Sequence, residues 1–466
     1  MSPTAVVLAA GLGTRMKSPL AKVLHPLLGR PMVGWVVEAL RGAGLGGAGT
    51  TGVGIGDIVI VLHHQEATVR DACPGLRYAR QEAPRGTGDA LAAALSQLPR
   101  SGPVLVSAGD TPLVTAATVQ RLLSAHRGRV TVASFEVADP TGYGRIVRAG
   151  GLRIVEEANA SDVERRIHEV NSGMYVFEAA YLHERLPTLL PHPPKGEYYL
   201  TDLVDDEATV VGGFDAGEFL GVNDRAALAE ARGILRRRVN RAWALAGVDF
   251  ADLDNAEVDA RVRLHPDARV GIGVVLQGAC DIAGDIGAYC VLTDTKVGPG
   301  SKVLPGSVCE GAVIGAGCAV GPMARLRPGT VLEDGVRIGN FVEVKATRMG
   351  PGAKANHLTY LGDATVGAGA NVGAGTITCN YDGVRKHPTV IGEGAFIGSN
   401  VALVAPVTIG AGAIIGAGST VTEDVPADAI AVERSELRVR VSSAERLRIR
   451  YRTEAALLRR DGGDRG

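Results

Sequence analysis

Two groups of residues in this 466-residue chain are of types that do chemistry, and they lie far apart in it. The first opens at Gly11-Leu12-Gly13-Thr14-Arg15-Met16-Lys17, directly after the aliphatic run Ala5–Ala9, and gains Lys22 a few residues on. Glycines let backbone N–H groups close on phosphate oxygens while Arg15 and Lys22 supply positive charge, so the segment suits a phosphate-bearing ligand. A dinucleotide fingerprint would need glycine where Met16 stands, and the Gly-Lys-Ser/Thr that closes a Walker loop is absent. Asp110 follows the run Val104–Ser107. A lone aspartate there is more often a turn or cap residue, but the Gly-Arg-Lys loop reverses that preference. A carboxylate past the end of a parallel strand lies where α/β sheets take ligands. Mg2+ asks for few protein oxygens because phosphates provide others, which makes Asp110 the first choice for a Mg2+ ligand and Asn223 the second. Gln81 can donate and accept as a base edge requires, Gly86-Thr87 allow close backbone approach, and Glu156 and Asn171 can hydrogen-bond sugar hydroxyls. The second group is Arg327, Lys345, His357, Tyr360, Asn371 and Lys386, set in a stretch that otherwise favours small or aliphatic residues.

The first group needs a sheet to present it. Short aliphatic runs, each ending in a polar loop, predict an α/β Rossmann-like domain over residues 1–225, with strands at Ala5–Ala9, Asp57–Leu62 and Val104–Ser107 and a last strand ending in Gly221-Val222-Asn223. The glycine loop is expected to lead into a helix. Residues 41–56, almost all Gly, Ala and Thr, are expected to form a flexible surface insertion. Asp224 to Ala246 predicts one long helix with Leu228, Leu235 and Val239 on one face and Arg236-Arg237-Arg238 as a solvated basic run. It is the expected linker, residues 226–246.

The second group needs a different frame. Ile314, Val320, Leu326, Leu332, Ile338 and Val344 step by six, and so do Ile391, Ile397, Leu403, Ile409, Ile415 and Val421. That is the hexapeptide repeat of a parallel β-helix, predicted over 247–466, with the aliphatic residue pointing inward. A glycine commonly follows the aliphatic residue, where it is expected to suit a corner of the backbone. The composition agrees: 63 glycines and only 4% aromatics.

With a net charge of −1, no global field points to nucleic acid or an anionic membrane. The six cysteines form no CxxC pair and predict reduced core thiols. Neither a signal peptide nor an apolar run of membrane-spanning length is found, so a cytoplasmic protein is expected.

The loop LAAGLGTRM resembles the signature of sugar-phosphate nucleotidyltransferases. Taken with QEAPRGTGDA, AGDTPL, DPTGYGRI, EVNSG, GEYYLTD and GVN, and then HLTYLGD and CNYDGVRK inside the repeats, nearly the whole chain resembles the bifunctional N-acetylglucosamine-1-phosphate uridyltransferase/glucosamine-1-phosphate acetyltransferase family. The resemblance implies that the repeats form a left-handed β-helix. It implies that Leu8, Ala9, Ala10, Gly11, Lys22, Gln81, Gly86, Thr87, Ala108, Gly109 and Asp110 hold UTP. Gly144, Glu156, Asn171 and Asn223 would hold the sugar, Asp110 and Asn223 Mg2+, and Arg15 and Lys22 the charge that builds on the phosphoryl oxygens. In the β-helix it makes His357 the general base toward glucosamine-1-phosphate, with Arg327 and Lys345 on the sugar phosphate and Tyr360, Asn371 and Lys386 placing the sugar. Ala374 would offer an oxyanion donor, and Asn380, Tyr381, Ser399, Ala417 and Arg434 would contact acetyl-CoA or the sugar. A homotrimer with active sites between neighbouring prisms is also implied.

Three features depart from the family pattern, one of them the glycine-rich segment 41–56, which has no family counterpart. Ala158-Asn159 stand where a Lys-Asp pair is usual, which removes a charge near the sugar phosphate. After Arg434 the chain is Arg-rich and predicts a surface tail or short helix without a nucleic-acid role. Two other functions stay open: a single-activity sugar-1-phosphate nucleotidyltransferase with a structural β-helix, and a non-catalytic scaffold.

Overall fold

Strands whose residues are nearly all apolar have no wet face and must be covered on both sides. Thr4–Leu8, Asp57–Leu62 and Pro103–Ala108 are of this kind and pair in parallel, and the more polar Arg77–Arg80 adds a parallel edge strand beside Asp57–Leu62. The long strand Glu169–Glu178 runs antiparallel beside Pro103–Ala108 and Val130–Glu136, and Thr209–Val211 closes that side. Side chains alternate between the two faces: Ala5 and Val7 join one core cluster and Val6 the other. The computed structural model describes residues 2–43, 55, 57–194 and 196–461. Of the glycine-rich segment expected to be a flexible insertion, 44–54 and 56 lie outside the described residues.

Three local expectations are corrected. The glycine loop does not open an α-helix. It passes through the 3-10 turns Thr14–Met16 and Lys22–Leu24, and the first α-helix is Met32–Gly42. Pro19, Pro26 and Pro31 break the intervening chain, since each lacks an N–H and restricts the residue before it. Gly221-Val222-Asn223 is not a strand. It is an extended segment pinned by Val222 N–H to Asp110 O at 2.9 Å, which sets Asn223 beside Asp110. The run Arg236–Arg238 is not simply solvated, because Arg238 Nη1 donates to Leu113 O at 2.6 Å and Arg237 pairs with Asp254. Its helix spans Arg225–Leu245, capped by the Asp224 carboxylate accepting from Ala227 N–H at 2.9 Å. Leu228 and Leu235 are buried with Met16, Leu27 and Met32.

By compactness the chain divides into two units, 1–316 and 317–466. Each holds coils of the left-handed parallel β-helix, built from strands of two to four residues in three ladders. In the first unit Arg269 pairs with Asp285, Val275 with Val291, and Lys296 with Val313. In the second, Arg337 pairs with Lys354, Glu343 with Tyr360, and Arg348 with Thr365. Stacked positions such as Asn340 and His357 are 17 residues apart. All twelve aliphatic residues of the two six-residue series are buried. One coil is longer: Asn371 pairs with Phe396, because residues 380–387 leave the prism as a loop. The Arg-rich tail forms the helix Ser443–Asp461.

The glycine after the aliphatic residue has a different cause from the one expected. At Gly392 and Gly410 the backbone is not in the left-handed region, yet a Cβ would lie 2.4 Å from Ala411 N and 2.3 Å from Ala427 N of the next coil. Close approach of coils excludes the side chain. The left-handed residue comes two positions later, at Gly394 and Gly412. This exclusion weakens in one ladder. There the position after the aliphatic residue carries Arg327, then Lys345, then Gly362.

Candidate active sites

In the first unit the loops at the C-terminal ends of the parallel strands enclose a cleft of about 470 Å³. Leu8, Ala10, Gly11, Gln81, Gly86, Thr87 and Ala108 line one part of it, and Glu156 and Asn171 another. Lys22 and Asp110 lie in its wall, and Lys22 Nζ is bonded to Asp110 Oδ2 and, at 3.1 Å, to Asn223 Oδ1. Asp110 and Asn223 thus converge on one cation. A carboxylate and an amide oxygen are hard donors of the sort Mg2+ accepts, so the residues fit that ion.

Ala9 and Gly109 stand behind the lining: Gly109 N–H donates to Leu8 O at 2.9 Å, and a Cβ on Gly109 would press on Ala9 at 3.1 Å. Gly144 is also behind it, supporting Asn171, whose N–H donates to Gly144 O at 2.8 Å. Arg15 is exposed on its turn, away from the lining, and makes no ion pair among the described residues.

Gln81 is 3% exposed, and its Nε2 donates to Asp89 Oδ2 at 2.7 Å and Gly86 O at 3.2 Å. Asn171 donates from Nδ2 to Tyr175 Oη at 2.6 Å and accepts from Gly173 N–H at 3.1 Å. Burial pushes the Glu156 carboxyl above its usual range, against the opposing pull of a 3.2 Å bond from the Thr201 hydroxyl. Burial likewise raises the Tyr175 phenol. Tyr175, Tyr199 and Thr201 line the cleft and had no role in the sequence expectation. The GEYYLTD motif was the available signal for two of them. Near the departure at Ala158-Asn159 the charge present is Glu157, held at 2.6 Å by the buried Arg145.

In the second unit the polar residues gather on two adjoining surfaces of the prism. Asn340 and His357 stack in one ladder, with Asn340 Oδ1 3.0 Å from His357 Nδ1. The amide oxygen accepts, so Nδ1 carries the proton and Nε2 keeps its lone pair toward solvent. Ala374, Ser399 and Ala417 continue that corner: Gly375 N–H reaches Leu358 O at 3.1 Å, Asn400 N–H reaches Ala374 O at 2.7 Å, and Gly418 N–H reaches Ser399 O at 2.8 Å. Ala374 N–H has no backbone acceptor among the described residues. Asn371 is part-exposed on the strand Asn371–Val372, and Arg434 is exposed well beyond it.

On the neighbouring ladder Arg327 donates to Glu343 at 2.8 Å, and Lys345 lies 3.6 Å from Asp363. Asn380 Nδ2 donates to Asp363 at 2.5 Å and lies 3.5 Å from Tyr360 Oη. Gly362 leaves the space for this group, since a Cβ there would meet Tyr360 Oη at 2.3 Å and Asn380 Nδ2 at 2.7 Å. The 380–387 loop returns Lys386 to Lys345. Contact with Lys345 lowers the Lys386 ammonium below the usual lysine range, while contact with Lys386 and then the Asp363 charge raise Lys345. Asp382 organises the loop, accepting from Val384 and Arg385 N–H at 2.7 and 2.6 Å and bonding His387 at 2.7 Å. These bonds, the Arg385 N–H first, push its carboxyl down to about 2. Tyr381 is exposed on the same loop, its hydroxyl on Gly383 O at 2.6 Å. Asp363 and Asp382 stand in the HLTYLGD and CNYDGVRK motifs without an expected role, and Asn340 has none either, because repeat spacing does not say which side chains pair across coils.

A sheet-end cleft with a phosphate-suited loop, followed by a hexapeptide prism bearing an exposed histidine, defines a two-site transferase. Residues 5–172 match the MobA-like NTP transferase domain and residues 388–423 the six-repeat bacterial transferase hexapeptide. The chain is 46% identical over 449 residues to "Bifunctional protein GlmU" of Geotalea uraniireducens, covering 92% of this chain and 96% of that one. Relatives of the same name from Trichlorobacter lovleyi and Acinetobacter baylyi are 48% and 43% identical, over 92% and 94% of this chain and 95% and 97% of theirs. The chain belongs to the bifunctional GlmU family. It is a bifunctional enzyme of UDP-N-acetylglucosamine synthesis, with uridyltransferase and acetyltransferase activities.

Proposed function

We propose that the cleft of the first unit performs uridylyl transfer and that the His357 corner of the second performs acetyl transfer. Residues 1–225 then serve the first reaction and 247–466 the second, with 226–246 joining them. In the prism the amine of glucosamine-1-phosphate attacks the thioester carbonyl of acetyl-CoA. His357 Nε2 takes the amine proton, Ala374 N–H faces the developing oxyanion, and CoA leaves as the thiol. Arg327, Lys345 and Lys386 hold the sugar phosphate. An anion between Lys345 and Lys386 relieves the repulsion that depresses Lys386. Tyr360 and Asn371 place the sugar, and Asn380, Tyr381, Ser399, Ala417 and Arg434 the acetyl-CoA.

In the cleft a phosphate oxygen of N-acetylglucosamine-1-phosphate attacks the α-phosphorus of UTP and pyrophosphate leaves. Gln81 reads the base, Glu156 and Asn171 bind sugar hydroxyls, and Lys22 and Arg15 neutralise phosphoryl charge. Asp110 and Asn223 would hold Mg2+, which would supply positive charge against the phosphate oxygens when bound. Lys22 bonds the Asp110 carboxylate and the Asn223 amide oxygen together.

The observation that supports these roles most is that two of the proposed groups already have partners: Lys22 with Asp110 and Asn223, and His357 with Asn340. The exposed Met323, Phe341, Leu358 and Phe396 on the prism support a homotrimer, in which a neighbour covers the His357 corner. Sedimentation as a monomer at micromolar concentration would contradict it. Among the described residues no helix is long and apolar enough to cross a membrane, and we place the enzyme in the cytoplasm, acting on small molecules and not on nucleic acid. The decisive assay supplies glucosamine-1-phosphate, acetyl-CoA, UTP and Mg2+, and follows UDP-N-acetylglucosamine, free CoA and pyrophosphate. CoA release without pyrophosphate, or the reverse, removes one of the two site assignments.

A further inference from the structure

Gln81 could in principle present either end of its amide to a base, and the two ends read opposite patterns. Its surroundings settle which. Nε2 donates to the Asp89 carboxylate at 2.7 Å and to Gly86 O at 3.2 Å, and both partners only accept. Turning the amide over would lose two hydrogen bonds and set Oε1 against two oxygens. The side chain is almost wholly buried, so water cannot compensate. Oε1 is left as the amide atom available to a ligand in the cleft that Gln81 lines.

Asp89 is itself fixed. It lies in the first turn of the helix Thr87–Ala94, and its other oxygen accepts from Arg85 Nη2 at 2.7 Å, so both carboxylate oxygens are engaged as acceptors. Arg85 in turn lies 5.7 Å over the Tyr198 ring. No substrate role falls to Asp89 in the reaction described above, and it is not part of the cleft lining.

We propose that Asp89 is a specificity-determining positioning residue: by committing the Gln81 NH2 group it makes Gln81 an acceptor toward the nucleobase. This rests on the reading of Gln81 as the base contact. An acceptor suits uracil, whose N3 carries hydrogen, and opposes cytosine, whose N3 carries a lone pair. A site whose polar group is turned the wrong way discriminates strongly, because binding the wrong base buries an unmet acceptor. In Asp89→Asn the new side chain can donate to Gln81 Oε1, so both amide orientations become available. In Asp89→Ala the inner anchor is gone.

The test measures kcat/KM for UTP, CTP and dTTP on wild type, Asp89→Asn and Asp89→Ala, with N-acetylglucosamine-1-phosphate and Mg2+. Ratios taken on one enzyme sample cancel the folded fraction, so a loss of stability does not obscure them. The UTP/CTP ratio is expected to fall about tenfold or more in Asp89→Asn. The UTP/dTTP ratio should stay within about twofold, since thymine presents the same N3 edge. Asp89→Glu should keep much of the UTP/CTP preference. Unchanged UTP/CTP ratios in both Asp89→Asn and Asp89→Ala overturn the proposal, and so does a parallel fall in UTP/dTTP, which would mean a loosened pocket. A wild type that uses UTP and CTP alike would instead overturn the base-reading role of Gln81.

Discussion

In the proposed assignment the cleft and the prism corner solve the same problem, holding a phosphorylated sugar beside an activated donor, in opposite ways. The cleft is a concavity within one unit, its lining drawn from many separated loops and its Lys22 already neutralised by Asp110. The corner is a convex edge whose His357 is exposed and whose cations stand on consecutive coils. A loop-built pocket can close around a ligand by itself. A site on a stiff stack cannot, and must take its missing wall from ligand or from another copy of the chain. What differs between them is therefore where precision comes from: packing of loops in one, ladder register in the other.

That contrast can be broken first at its two reacting centres. His357→Ala should lower acetyl transfer by about 10²- to 10⁴-fold while pyrophosphate release from UTP is unchanged. An equal fall in both activities would show the sites are not independent. Asp110→Ala should do the converse, cutting uridylyl transfer by about 10²-fold or more and sparing CoA release. Asn340→Ala probes register directly: acetyl transfer should fall about tenfold, because His357 loses the partner that orients its ring. An unchanged rate would reduce Asn340 to packing.

Two smaller effects separate the frames. Gly410→Ala should destabilise the prism by about 1–3 kcal/mol in thermal or denaturant unfolding, because its Cβ meets backbone that cannot yield. Glu156 gives the cleft a pH signature. Its carboxyl is easier to protonate in the folded chain, so the stability it contributes is full below the ordinary glutamate range and lost as pH rises through its raised value. Glu156→Gln in ligand-free enzyme should therefore melt about two degrees above wild type at pH 8, with the difference closing in acid. A pH-independent difference would point to packing.

The stack was the most legible part of the sequence, since a side chain that must point inward every six residues leaves a period. Its glycines were legible as positions but not as causes. The one-dimensional pattern cannot show that Gly410 sits under Ala427. The cleft was legible by residue type: Lys22, Asp110 and Gln81 all lie in its wall, and Asn223 reaches Lys22 from behind. What stayed hidden was pairing. The Asp89–Gln81 and Asn340–His357 contacts depend on rotamers and neighbouring coils. The expected α-helix after the glycine loop failed because three prolines outweigh a weak helical period.

The ladder that admits side chains after its aliphatic residue, Arg327 then Lys345, has a consequence for what such a scaffold can evolve to bind. Neighbouring strands are spaced at ~4.8 Å, so groups on one ladder can be moved only in whole steps of that size. Ligand recognition there is digital along the prism axis. A change of substrate is reached by exchanging residues at fixed rungs, or by letting a loop such as 380–387 lean back across them. It is not reached by the gradual drift of backbone that reshapes a pocket made of loops.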